Sequence, residues 1–410
     1  MTAARGDREF DVVVFGATGF TGLRTARRLA AVAPSDLRWA VAGRREPAVR
    51  EIADELGAGA LFVDVGDGDG VGDMARRTRV VLSTAGPFAK FGDPVVDACV
   101  AAGTDYADLT GEVHWMRSLV LRLHDAARER RARLIPASGF DSVPADLAVH
   151  VALREAARRG GRLASARTVY RLRGGLNGGT LASALGIFEE ADPRMLADPF
   201  ALVPGHQSTR DERERLADPR RPEFDGTGGR WVAPFFMGPI NRRVVRRSIA
   251  LRAGTPLGGA TADTFRYDEF QSVSKGSGKT AAWTTTLMLG LGEAAMRTRA
   301  GRSLIRRIGP SPGEGPSERT LANGLSRATT TCGLEGGDAF TVEQDMAGDP
   351  GNAATVRALV ETGLALLESD GEGGVLTPST ALGDRLVERL ERTDEHSFSI
   401  GAELAPKGRD

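Results

Sequence analysis

Over the first 140 residues, short runs of apolar and β-branched residues alternate with longer segments whose apolar positions recur every three or four residues. The run Phe10–Phe15 (FDVVVF) is apolar on both of its alternating faces, as expected of a strand covered from both sides. Comparable runs stand at 37–42, 61–65, 79–84, 105–109 and 132–137, with helical spacing at 23–31, 47–56, 94–102 and 113–130. Six strands joined by helices predict an α/β fold whose N-terminal unit is a Rossmann-type parallel sheet.

Beyond Gly139 the pattern changes. A helix is expected over 142–158, with Ser142 and Pro144 at its cap and first turn. A strand over 168–173 and a helix over 179–191 follow, and then a polar stretch at 192–229, rich in Pro and Arg, that reads as a surface excursion. Further strands are predicted at 244–252 and 264–273, and a hairpin at 326–332 and 339–345 around the turn 333–338. Helices at 353–369 and 378–390 close the chain. The division this gives is a dinucleotide-binding domain over 1–145, a mixed α+β substrate or oligomerisation domain over 146–350, and C-terminal helices within 353–395 that pack back on the first domain.

Composition narrows the function. Lys+Arg 54 balances Asp+Glu 54, which argues against a nucleic-acid partner. Two cysteines, Cys99 and Cys332, form neither a disulfide framework nor a metal-ligand spacing, so no metal is expected. Their scarcity, an N-terminus without a signal-peptide core and the lack of an eighteen-residue apolar run point to a cytoplasmic protein. The 52 glycines exceed the usual share of about 7%.

Some of those glycines carry chemistry. Gly16-Ala17-Thr18-Gly19-Phe20-Thr21-Gly22 follows the first strand and opens a helix, the context in which glycines let the backbone approach a pyrophosphate held by helix N-terminal amides. At the end of the second strand, where an acidic residue would select NAD, stand Gly43, Arg44 and Arg45. Guanidinium groups there suit a 2′-phosphate, so NADP(H) is the expected cofactor. Asp64 and Val65 are placed to meet an adenine ring or to form a plain strand-end turn. The turn Thr84-Ala85-Gly86-Pro87 is expected along the pyrophosphate and nicotinamide ribose. The next two strand ends are polar: Tyr106, Asp108 and Asp141 are candidates for proton delivery or substrate orientation, although such residues serve equally as caps and turn formers.

Several chemistries lack their residues. None of the three tyrosines has a lysine four positions on, no G-x-S-x-G elbow occurs, and the five histidines are scattered. The apolar stretch 281–296 contains three threonines and Glu293 and is too short to span a bilayer. It reads as a buried or substrate-facing helix, with peripheral membrane contact as the alternative.

Taken together, 10–22, Ala42-Gly43-Arg44, Ser83–Pro87 with Gly92, 103–112 and 138–146 resemble the saccharopine dehydrogenase-like family. The closer likeness, extended by 241–248 and 374–378, is to its trans-acting enoyl reductase branch. The resemblance implies an NADP-dependent reductase acting on an unsaturated acyl chain carried by a polyketide synthase, in glycolipid biosynthesis. Two alternatives remain at this level. One is a saccharopine-type imine dehydrogenase, in which Arg242, Arg243, Arg246 and Arg247 would bind substrate carboxylates; an apolar tunnel near Trp283 and Leu287 would favour the acyl reading. The other is a non-catalytic, lipid-associated NADP-binding protein. Peripheral contact with the inner face of the plasma membrane and a homodimer are left open as partners.

Overall fold

The computed structural model describes residues 8–175, 178–273, 278–310 and 314–404. Two seven-stranded sheets organise it. The first contains β1 (Phe10–Phe15), β2 (Trp39–Gly43), β3 (Gly59–Phe62), β4 (Thr78–Ser83), β5 (Asp105–Asp108) and β6 (Arg133–Ile135) in the spatial order β6-β5-β4-β1-β2-β3, all parallel. Alternate residues of β1 enter separate cores: Val12 and Val14 on one face, Val13 and Phe15 on the other. This two-sided burial explains the unbroken apolar run.

The register fixes where ligands can bind. Phe15 stands opposite Ala42 on one side and Ser83 on the other, and Ser83 opposite Asp108. The carboxyl ends of four adjacent strands therefore finish at one edge, on either side of the point where strand order reverses.

The second sheet is mixed. It is built from β7 (Leu163–Arg173), β8 (Glu223–Asp225), β9 (Arg230–Pro234), β10 (Arg266–Ser272), β11 (Leu325–Leu334) and β12 (Ala339–Ala347). β7 and β10 run parallel, and the other pairings are antiparallel. The helix Val143–Arg158 joins the sheets, placing Val143 and Leu147 in the first core and Val149, Ala152 and Leu153 in the second.

The C-terminal segment returns to both sheets. Its helix Thr355–Leu367 buries Leu359, Val360 and Leu364 in the first core, and β13 (Gly374–Val375) extends the first sheet beside β6. Buried Arg133 anchors the return: it donates to the Asp105 carboxylate at 3.0 Å and to the carbonyls of Leu366 and Ser369, both at 2.7 Å. β14 (His396–Leu404) pairs with β12 and so brings the second sheet a strand from beyond residue 350.

Four sequence expectations are corrected. Residues 244–251 are not a strand but belong to the helix Gly238–Leu251, which Arg252 caps, because Arg242, Arg243, Arg246 and Arg247 recur at helical spacing and each is buried with acceptors in reach. The excursion 192–229 is pinned to the protein by buried Phe200, Ala201, Leu202 and Leu216. The last expected helix is split into Pro378–Ala381 and Asp384–Glu391 at Gly383, whose φ of 46° breaks the helical path. The apolar stretch is a helix, Gly278–Met296, but of its side chains only Ala282 is buried.

Candidate functional site

The glycine turn is shaped as a cradle. Gly16 and Ala17 amides donate to the Ala42 carbonyl at 2.9 and 3.2 Å, holding the turn against β2. Gly16 has φ of 84°, a conformation open to glycine. A Cβ on Gly22 would lie 2.2 Å from the Gly16 carbonyl oxygen and 2.7 Å from Thr84 Oγ1, so only a bare backbone fits. The helix Phe20–Val32 begins at Gly19 with no side-chain cap and no acidic residue in its first turn, leaving its N-terminal dipole directed at the cradle. The observed cradle is what an anionic pyrophosphate requires.

Neighbouring groups extend this surface. Arg44 and Arg45 are exposed just past β2, and Arg45 donates to the Thr18 carbonyl at 3.0 Å. Arg44 makes no hydrogen bond or ion pair among the described residues, and its charge is available to a phosphate. Asp64 is exposed and accepts the Gly66 amide at 2.8 Å, forming a strand-end turn next to Val65. Thr84 Oγ1 donates towards the carbonyls of Phe15 and Gly16 at 3.0 and 3.2 Å, tying the Thr84–Pro87 turn to the cradle.

Against that turn opens a cavity of about 210 Å³. Thr21, Thr84, Gly86 and Pro87 form the side next to the glycine cradle, and Phe88, Leu109, Ile187, Met237 and Ile240 give it an apolar wall. Among the described residues Asp141 is the one charged residue lining it, together with Ser183 and Thr355. Burial raises the Asp141 carboxyl to about 6, and no partner among the described residues lowers it. Close approach of the walls depends on Gly111, where a Cβ would press within 3.1 Å of Ile240.

The other two catalytic candidates lie deeper. Tyr106 and Asp108 are completely buried in the first sheet and do not line the cavity. Asp108 Oδ1 accepts the amides of Thr110 at 2.8 Å and Ala137 at 3.2 Å, whereas burial lifts its carboxyl to about 7. The Tyr106 hydroxyl lies against Asp108 and Ser83 without hydrogen-bond geometry to either, and burial raises its pKa well above the ordinary phenol value. Neither Asp141 nor Ser142 caps the helix that follows; the Ser142 hydroxyl instead donates to Asn241 Oδ1 at 3.1 Å.

Glu112 was not singled out by the sequence, although it ends the polar stretch after β5. Its buried carboxylate accepts the amides of Phe88 and Ala89, each at 2.9 Å, and so closes the N-terminus of the helix Phe88–Ala102 directly after the Thr84–Pro87 turn. The cavity residues Ser183, Ile187, Met237, Ile240 and Thr355 also escaped sequence reasoning, since they come from distant elements.

The arginines of the helix Gly238–Leu251 are committed elsewhere. Arg242 and Arg243 share Asp218, each at 2.7 Å, and Arg242 also pairs with Asp268 at 3.0 Å. Arg246 donates to the carbonyls of Ala262 and Phe265, and Arg247 to those of Leu202 and Val375. None of the four lines the cavity, so they form no carboxylate-binding cluster there. Trp283 and Leu287 are exposed and do not form a tunnel.

Residues 12–135, which run from β1 to β6, match the model of the saccharopine dehydrogenase NADP-binding domain. The fold is similar over 97% of this chain to apo saccharopine dehydrogenase (L-Glu forming) from Saccharomyces cerevisiae, with TM-score 0.58, 14% identity and all of that chain covered. A second solved structure, the homospermidine synthase of Legionella pneumophila in complex with NAD, has TM-score 0.54 and 10% identity over 98% of this chain and 95% of its own. Sequence similarity is much higher to the trans-acting enoyl reductases of Mycobacterium ulcerans (36% identity) and Mycobacterium tuberculosis (37%), in each case over 94% of this chain and 96% of the relative. A Mycobacterium tuberculosis protein named as a candidate of the same kind is 40% identical over 93% of this chain and 96% of its own length. With a glycine cradle suited to a pyrophosphate, a cavity beside it, and similarity over more than nine-tenths of each chain, the chain belongs to the trans-acting enoyl reductase branch of the saccharopine dehydrogenase-like family of NADP-dependent oxidoreductases.

Proposed function

We propose that this protein reduces the carbon–carbon double bond of an α,β-unsaturated acyl chain, presented by a polyketide synthase carrier domain in the cytoplasm during glycolipid assembly. The observation that carries the reading is the cavity itself: an apolar wall with a single carboxyl, opening on the Thr84–Pro87 turn. A polycarboxylate imine would need fixed positive charge there, and among the described residues the cavity lining contains no arginine or lysine.

NADPH, when bound, supplies a hydride to the β-carbon. The glycine cradle and Thr84 would hold its pyrophosphate side, and Arg44 with Arg45, exposed just past β2, would hold its 2′-phosphate. Phe88, Leu109, Ile187, Met237 and Ile240 exclude water and align the acyl chain by burying its methylenes. Asp141, kept protonated at mildly acidic pH by burial, holds the proton for the α-carbon. The π bond is thus replaced by two C–H bonds, Asp141 is left as a carboxylate, and solvent restores its proton. Tyr106 and Asp108 orient the β5 edge from below rather than meeting substrate.

The test compares NADPH oxidation with enoyl thioesters, free and carrier-bound, and with imines of the saccharopine type. Turnover confined to the enoyl compounds is expected. Turnover of the imines with no oxidation by any enoyl thioester would overturn the proposal.

A further inference from the structure

One surface remains that the cofactor and acyl sites do not use. The helices Gly278–Met296 and Arg299–Ile308 expose Trp283, Leu287, Met288, Leu291, Leu304 and Ile308, with Leu287, Met288 and Ile308 each more than 60% accessible. On the first helix these residues fall at spacings of four, one and three, and on the second at a spacing of four, so each helix presents an apolar stripe. Contiguous exposure of this kind marks an interaction surface.

Charge narrows the partner. Between 278 and 310 stand six basic residues, Lys279, Arg297, Arg299, Arg302, Arg306 and Arg307, against the single acid Glu293, in a chain whose overall charge is zero. Arg302 and Arg306 reach Glu189 at 3.3 and 2.8 Å, and Arg297 reaches Glu293 at 2.7 Å. Arg299 and Arg307 are exposed and form no ion pair or hydrogen bond among the described residues. A second copy of the same surface would bring like charges together. An anionic bilayer instead neutralises the arginines while receiving the apolar stripe and the indole of Trp283.

We propose that the helices Gly278–Met296 and Arg299–Ile308 form a docking surface for the headgroup region of an anionic phospholipid membrane. The attachment is peripheral, since no helix among the described residues is long and apolar enough to cross a bilayer. It also adjoins the acyl cavity. The ion pairs to Glu189 fasten the second helix to Gly178–Glu190, whose Ala182, Ser183, Ala184 and Ile187 line that cavity. The docking surface is independent of the enoyl reductase reading.

The experiment is flotation of the full-length protein with phosphatidylcholine vesicles prepared with and without phosphatidylglycerol. Binding is expected to the phosphatidylglycerol vesicles and to weaken as salt is raised. Charge reversal by R299E with R307E is expected to lower that binding about tenfold or more, and L287D with I308D to abolish it. NADPH affinity, read on the same preparations, is expected to be unchanged in both variants and shows that they remain folded. Protein left unbound to phosphatidylglycerol vesicles at low salt would overturn the proposal. So would a wild-type dimer that L287D with I308D splits into monomers, or an isolated carrier domain that needs this surface while vesicles do not bind it.

Discussion

The Ser183 hydroxyl on the cavity wall donates to Glu112 Oε1 at 2.9 Å, and the same carboxylate receives the first amides of the helix Phe88–Ala102. One buried group therefore links the cofactor-side turn, a helix N-terminus and the acyl cavity. Glu112→Ala would leave the buried Phe88 amide and the half-buried Ala89 amide without an acceptor and remove a negative charge from a helix N-terminus. A loss of about 2–4 kcal/mol in urea unfolding is expected, together with weaker NADPH binding. Glu112→Gln keeps an acceptor and should lie between the two. An Ala variant as stable as the wild type would remove the capping role.

The cradle makes a steric prediction. In Gly22→Ala the added carbon meets the Gly16 carbonyl oxygen, a backbone atom that moves only if the turn opens. NADPH binding, followed by nucleotide fluorescence, should be lost while the circular dichroism spectrum is retained. Arg44→Ala should instead weaken NADPH by about 10–100-fold, the range of a charge-assisted hydrogen bond, and leave NADH almost unaffected. Equal losses for the two nucleotides would count against a 2′-phosphate contact.

Asp141 predicts two pH effects, both of them losses as pH rises. As the proton donor, raised to about 6, it should make kcat/KM fall as pH rises through that value. Asp141→Asn should lower turnover by about 10²–10⁴-fold and abolish that inflection. For stability the sign is reversed from that of a salt-bridged acid. A carboxyl whose folded pKa is raised binds more protons folded than unfolded, so its ionisation destabilises the protein between its ordinary value near 4 and about 6. Asp141→Asn should therefore raise the Tm at pH 8 and leave it nearly unchanged at pH 4. A variant without either effect would place the carboxyl in a merely structural role.

The buried pair of Arg133 and Asp105 supports the C-terminal return. Asp105→Asn leaves the guanidinium in the interior without its counter-charge, and a loss of about 3–5 kcal/mol is expected. Hydrogen exchange should show the segment Thr355–Val375 opening before the rest of the first sheet. Uniform exchange across the sheet would contradict this anchoring.

The parts of this molecule that were legible in sequence are those whose physics is local. A strand covered on both faces must be apolar throughout, and a glycine turn between strand and helix leaves a compact signature; both were readable from 10–22. The helix Gly238–Leu251 was misread because Val244 and Val245 imitate a strand, although the four-residue spacing of its arginines carried the helical signal. The helix Gly68–Arg77 was hidden by its glycines, and Asp67 supplies the cap that starts it, accepting the Gly70 amide at 3.1 Å. β13, at two residues, has no pattern to detect. In the site, Asp141 and the Thr84–Pro87 turn stood out because they lie in the polar segments that lead from a strand into the next helix. Ser183, Met237 and Thr355 did not, because only folding brings their elements to the same cavity.

The most direct test of the account is the fate of a label. With NADPH carrying deuterium at the transferable position and an α,β-unsaturated acyl thioester as substrate, mass spectrometry and NMR of the product should find one deuterium at the β-carbon. In heavy water with unlabelled NADPH, the label should appear at the α-carbon. A saturated product with deuterium from NADPH at the α-carbon, or NADPH consumed without any saturated acyl product, would contradict it.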